Sequence, residues 1–176
     1  MNAKDEELGS AAANAAGAHG AIDRPVSADI STPAVGGRFV HRYLASVLAL
    51  ASHHISAEFH VQVKKAGLKV TEWRILASLY ESDGETVGEL AHLAITKQPT
   101  LSKVLPRLEE QGLVTLRTAR ADRRQTVVRI TPKGTRLVAP LCEKAMAHQR
   151  QVLSKLDPGL AERLVEMLRT IITPDT

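Results

Sequence analysis

The densest charge in this sequence lies at RTARADRRQTVVRITPKG, residues 117–134, where Arg117, Arg120, Arg123, Arg124, Arg129 and Lys133 surround a single acid, Asp122. Cations this close repel one another. A solvated loop tolerates that cost, and a polyanion lying against the loop removes it. The second case requires the charge to sit beside an element that can read the anion. Such an element lies just upstream. Residues 97–111 put Lys97, Gln98, Thr100, Lys103 and Arg107 on one side of a helical pattern, with Ser102 nearby, and Leu101, Val104, Leu105 and Leu108 on the other. Gln pairs bidentately with adenine, Lys donates to guanine, and Thr meets a thymine methyl group or a phosphate. Pro99 either touches a methyl group or only starts the helix. Taken alone, the same residues also describe an ordinary polar helix face.

The distribution of charge favours the polyanion. Residues 1–96 sum to −3, residues 97–136 to +7 and residues 137–176 to zero, for a net charge of +4. One contiguous segment therefore holds the whole excess.

Other chemistries find less support. There is no G-x-G-x-x-G, no phosphate-binding loop, no H-E-x-x-H and no nucleophile paired with a base, so neither an enzyme nor a cofactor is expected. The single cysteine, Cys142, excludes an internal disulfide and a Cys-based zinc cluster, and reads as a buried core thiol. Among His41, His53, His54 and His60 no pair has the His-x₃-His spacing, and the adjacent His53 and His54 diverge on a helix. They read as surface or interface groups, with a metal-responsive site as the alternative.

The 176 residues, 44% of them hydrophobic, suffice for one domain with a core plus appendages. No apolar run reaches the ~18–20 residues needed to cross a bilayer. The start, MNAKDEELGSAAANAAGAHGA, lacks the basic region and apolar block of a secretory signal. The expected setting is cytoplasmic and reducing, with no membrane partner.

The reading residues need a scaffold, and the punctuation of the chain outlines one. Residues 1–34 are small, polar and interrupted by proline, which predicts a mobile tail. From Gly36 to Ala66, Phe39, Tyr43, Val47, Leu50, Ala51, Ile55 and Phe59 recur at helical steps, predicting one helix of about 25–30 residues. A helix of that length needs a partner to cover its stripe. Thr71 is the expected N-cap of a helix carrying Trp73, Ile75, Leu76, Leu79 and Tyr80. Thr86 and Glu89 have the capping-box spacing and open a short helix through Leu90, Ala91 and Leu93. Thr96 is the expected cap of the reading helix, which Gly112 stops. Thr115, Leu116 and Thr118, and then Thr126, Val127, Val128 and Ile130, predict two strands with Ala119 to Gln125 as their turn. Thr131 and Pro132 start a further helix that runs to about Lys155, and DPG at 157–159 starts the last. The order is that of a helix-turn-helix followed by a two-stranded wing. A helix of this kind fits a major groove, while the basic loop reaches the neighbouring minor groove.

GLVTLRTARADRRQTVVRITPKG resembles the wing signature of the MarR family of winged helix-turn-helix regulators. The carrying features are Asp122-x-Arg124, a strand, and a Thr-x-x-Gly helix start. LAITKQPTLSKVLPRLEEQGLV is similar to that family's recognition helix and exit, and the resemblance covers about residues 38–172. It implies a mainly α fold with a two-stranded β wing, and a homodimer joined by its first and last helices. It implies double-stranded DNA as partner, usually with repression, and an effector that is a small aromatic carboxylate of the benzoate, hydroxycinnamate or hydroxynicotinate type. In that pattern Arg124 enters the minor groove, Asp122 holds the loop through a salt bridge, and Arg120 and Arg123 meet phosphate. His53 or His54 with Trp73 and Arg74 offer a site that stacks and charge-pairs an aromatic acid. The alternative is that Trp73 is core and Arg74 solvated. The expected divisions are a tail at 1–34, a dimerisation helix at 35–66, the DNA-binding unit at 67–134 and dimerisation helices at 135–176. A winged-helix module that contacts protein remains the alternative function. The sequence departs from the family pattern at Pro106, where a kink or a shortened helix is expected at a cost of ~3 kcal/mol if unrelieved. Pro140 raises the same question in the next helix.

Overall fold

Hydrogen bonds at the helix ends set most of the boundaries. The computed structural model describes residues 37–119, 122 and 124–172. The expected tail at 1–34 lies outside these residues, as do Arg120 and Arg123. A 3₁₀ turn at Phe39–His41 precedes α1, Leu44–Lys65. Helix α2, Val70–Leu79, leads to the short strand β1, Glu85–Thr86, then α3, Val87–Leu93, and α4, Gln98–Glu110. Strands β2, Val114–Thr118, and β3, Thr126–Ile130, form the hairpin, and α5, Pro132–Leu153, and α6, Pro158–Ile172, complete the chain.

Three sequence boundaries are corrected. The first helix has 22 residues because Tyr43 is extended and separates it from the 3₁₀ turn. Helix α2 starts after Lys69, not after Thr71, because Glu72 reaches back to accept the Lys69 N–H at 2.7 Å. Helix α4 is capped at Lys97, one residue beyond Thr96. The Thr86–Glu89 capping box forms as expected: Glu89 N donates to Thr86 Oγ1 at 3.2 Å, and Thr86 N donates to Glu89 Oε2 at 2.9 Å.

Pro106 does not shorten the reading helix, which runs on to Glu110. The ring lies on the exposed face, where the carbonyl that loses its partner can bond water. Pro140 is likewise exposed within an uninterrupted α5.

The sheet holds one strand more than the expected pair. Its order is β1-β3-β2, antiparallel throughout, with Leu116 opposite Val128 and Glu85 also opposite Val128 on the other side. The two residues of β1 are too few to show an alternation, so nothing local announces them. Val63, Ile75, Leu76, Leu79, Leu90, Leu101, Leu108, Val128 and Val138 are wholly buried in one core that joins α1 to α5 and the sheet. The Thr-x-x-Gly start of α5 has a geometric reason. Thr131 Oγ1 accepts the Gly134 N–H at 3.1 Å and donates to the Gly112 carbonyl at 2.6 Å, while a Cβ on Gly134 would run into the Leu113 carbonyl.

The stripe of α1 is left uncovered as its pattern requires. Tyr43 (52% exposed) and Leu50 (53%) face outward with Phe39, as do Met167, Ile171 and Ile172 of α6. No described helix is long and apolar enough to cross a membrane.

Candidate nucleic-acid interface

Helix α4 separates its two kinds of residue cleanly. Leu101, Leu105 and Leu108 are buried and Val104 is half-buried, whereas Lys97, Gln98, Pro99, Thr100, Ser102 and Lys103 are exposed. An expected reading face is therefore presented to solvent along the first two turns of the helix. Across from it, the exposed Arg124 and Gln125 meet Gln98 and Ser102 around a single open cleft of about 650 Å³, floored by Thr86, Gly88 and Glu89 at the start of α3. The space above Gly88 is occupied by the Gln98 amide. Ser102 donates its hydroxyl back to the Gln98 carbonyl at 3.1 Å, which uses its one donor and leaves the oxygen as an acceptor.

The wing and the start of α5 are tied to the end of the reading helix by three bonds that local patterns do not reveal. Glu109 Oε1 accepts the Leu116 N–H of the edge strand at 2.9 Å. Lys133 Nζ donates to the Gln111 carbonyl at 2.7 Å, where a cation also complements the negative end of α4. Thr131 donates to Gly112, as above. Helix and hairpin are thereby held as one body. Of the basic residues in the opening cluster, Lys133 is thus a helix cap and not a free cation.

At the tip, Asp122 holds the loop by hydrogen bonds. Its Oδ1 accepts the Arg124 N–H at 2.9 Å, its Oδ2 accepts from the Gln125 amide at 3.3 Å, and its carbonyl accepts the Gln125 N–H at 3.0 Å. This is an Asx turn, which fixes where Arg124 leaves the backbone. Glu89 is kept below the ordinary carboxylate value of 4.5 by the Thr86 hydroxyl and then by the Thr86 N–H.

Arg107 is corrected. Its guanidinium does not join the exposed face but pairs with Glu72 of α2, whose side chain is 6% exposed against 41% for Arg107. The spacing that put Arg107 on the polar side is right, but a buried carboxylate on another helix captures the head group.

The effector residues are dispersed. Trp73 stands between two cavities and packs on Phe59 with ring centroids 5.4 Å apart. One cavity, about 520 Å³, adds Tyr80, Cys142, Met146 and Arg150; the other, about 360 Å³, adds Phe59, His148 and apolar residues of α5 and α6. His53, His54 and Arg74 line neither. His54 lies 3.7 Å from Glu58, and Glu58 also meets His148 at 3.1 Å, which holds the Glu58 carboxyl below its ordinary value. His60 is lowered by burial and then by the nearby Arg74. The missed residues had a signal: Cys142, Met146 and Arg150 recur at four-residue steps along α5. Cys142 is half-buried, and burial raises its thiol pKa. Among the described residues, no group of three or more His, Cys, Asp or Glu side chains is placed to hold a metal ion.

Comparison with known proteins agrees with this geometry. A family model described as the MarR family matches residues 66–125, from the end of α1 to the return of the wing. The structure of the MarR family transcriptional regulator SPO1453 from Silicibacter pomeroyi DSS-3 is 36% identical, with a TM-score of 0.68, over 77% of this chain and 97% of that one. The HTH-type transcriptional repressor IacR of Pseudomonas putida is 32% identical over 110 residues, which are 62% of this chain and 64% of IacR's own length. The transcriptional repressor CouR, solved on a 23-mer DNA duplex, is 25% identical with a TM-score of 0.61, over 74% of this chain and 93% of CouR. A mainly helical chain with a winged helix-turn-helix, matched over nearly all of a solved member at this identity, belongs to the MarR family of DNA-binding transcriptional regulators.

Proposed function

We propose that the protein is a dimeric transcriptional repressor that binds a pseudo-palindromic operator and is released by a small aromatic acid. The observation that carries the DNA-binding part is the shared cleft: the exposed start of α4 and the tip of the wing border one concavity, and the end of α4 is bonded to the hairpin. In this reading Gln98 and Lys103 meet base edges. Thr100 and Pro99 meet a methyl group, and Lys97, Ser102, Arg120 and Arg123 meet phosphate or sugar. Arg124, aimed by Asp122, enters the minor groove. Arg107 is left out, since Glu72 already neutralises it. The uncovered apolar stripes of α1 and α6 supply the dimer contact, so two reading helices reach successive major grooves about 34 Å apart. That CouR is a repressor bound to a DNA duplex supports the choice of DNA as the partner.

For the effector, the Trp73 cavity keeps one of the four residues expected from sequence and leaves out His53, His54 and Arg74. Trp73 and Tyr80 line it with rings, and Arg150, beside the carboxylates of Glu81 and Glu143, provides the cation that Arg74 and the two histidines do not bring there. Release requires the effector to bind the two shapes of the dimer with different affinity.

Fluorescence anisotropy on the duplex upstream of the protein's own gene tests the reading. Six to ten neutralised phosphates predict a fall in affinity of about 10³–10⁵ between 50 and 200 mM salt. Arg124→Ala is expected to weaken binding by about 1–3 kcal/mol. Affinity unchanged by that substitution at physiological salt removes Arg124 from the interface. A panel of benzoates, hydroxycinnamates and hydroxynicotinates should release the wild type but not Arg150→Met if the cavity is assigned correctly.

A further inference from the structure

Helices α1, α3 and α4 end in the same way. In each, two N–H groups beyond the helix return to carbonyls of the last turn: Gly67 to Lys64 and Leu68 to Val63, Ile95 to His92 and Thr96 to Ala91, Gly112 to Glu109 and Leu113 to Leu108. This closure places one residue in the left-handed region, and glycine is the usual choice because it has no Cβ to clash. Gly67 at φ +78° and Gly112 at φ +67° follow that rule. The third position is Ile95, at φ 50°. A β-branched side chain there is a conformational outlier.

Burial does not compensate the strain. Ile95 is 78% exposed, and its neighbour Leu93 is 50% exposed. Nor does the proposed dimer contact reach it, since that contact lies on α1 and α6. Strain that the fold neither needs nor repays is a pointer to function. Ile95 stands two residues before Lys97, the cap of the reading helix, and is exposed in the turn that leads into α4. Two exposed side chains are too small a surface for a stable protein partner, which needs about 1,200 Å² or more in total. A duplex lying on α4 needs no separate partner.

We infer that Ile95 is an affinity-determining contact of the DNA interface, covering apolar surface of the duplex next to the reading helix. The surface is either a thymine methyl group or deoxyribose carbons. This inference rests on the DNA-binding reading above.

The test uses full-length protein, the best duplex that wild type selects from a randomised pool, and the variants Ile95→Gly and Ile95→Asn. Both replacements accept the left-handed conformation. Each is expected to raise the folding equilibrium constant a few-fold in chemical denaturation, yet to weaken duplex binding roughly tenfold, as for uncovering about two methylene-sized groups. The dependence of affinity on salt should stay as in wild type, because no phosphate contact is lost. Replacing thymines one at a time by deoxyuridine separates the two surfaces. A methyl contact weakens wild type and leaves Ile95→Gly unaffected, and a deoxyribose contact leaves both unaffected. If the variants bind as tightly as wild type, or are less stable than it, the inference is overturned while the DNA-binding reading stands. If wild type selects no duplex in a salt-dependent manner, the reading itself fails.

Discussion

The Glu72–Arg107 pair makes a prediction that separates a structural role from a DNA contact. Glu72 is 5% exposed and does two things: it meets the Arg107 guanidinium and accepts the Lys69 N–H that starts α2. Removing one partner of a buried ion pair costs about 3–5 kcal/mol, because an uncompensated charge remains inside. The two partners are unequally buried, so the two deletions should differ. Arg107→Met strands the buried carboxylate with the Lys69 N–H, and is expected to cost about 3 kcal/mol, at the low end of that range because the Arg107 side chain is 41% exposed. Glu72→Gln keeps an acceptor for Lys69 and leaves a guanidinium that can turn to water, so it should cost about 1–2 kcal/mol. The double variant should lie well short of the sum, since it leaves no unpaired charge. Urea unfolding measures all three. With a slope of about 1–3 kcal/mol per molar, the midpoint should move by roughly 1–3 M for Arg107→Met. The same variant, assayed while folded, should keep the wild-type salt slope of DNA binding. A reversed order of the single variants, or a salt slope of the dimer reduced by about two units, refutes the assignment of Arg107 to the fold.

Two further outcomes test the scaffold. Gly134→Ala drives a methyl group into the Leu113 backbone carbonyl and the Ile130 side chain, and should cost at least about 2–3 kcal/mol in thermal or chemical unfolding. A neutral effect would mean that the junction of hairpin and α5 is not closed as described. Thr86→Ala removes the cap of α3 and should cost about 1 kcal/mol near neutral pH. Because Glu89 is lowered from 4.5 mainly by bonds from Thr86, its ionised form favours the folded state. That contribution is present above the unfolded value and is lost as pH falls through the lower folded value. The stability gap between wild type and Thr86→Ala should therefore narrow on acidification below about pH 4.5, and a gap that widens would contradict the capping box.

The sequence by itself determined the order of the helices and the hairpin, the helix stop at Gly112 and the helix start at Thr131 and Pro132, the Thr86–Glu89 capping box and the two-faced character of α4. These depend on contacts within a few residues, where side-chain type and spacing decide the outcome. It also determined that residues 97–136 carry the positive charge, which is a matter of counting. Tertiary structure alone decided that two of those cations, among the described residues, are engaged within the fold. Lys133 is spent on the end of α4 and Arg107 on Glu72, because partners twenty to thirty-five positions away in the chain lie within bonding distance only after folding. The third strand, the bond from Glu109 to Leu116 and the cavity that Trp73 shares with Arg150 have the same origin. Local pattern can say which face of a helix is polar, but not what another helix will place against it.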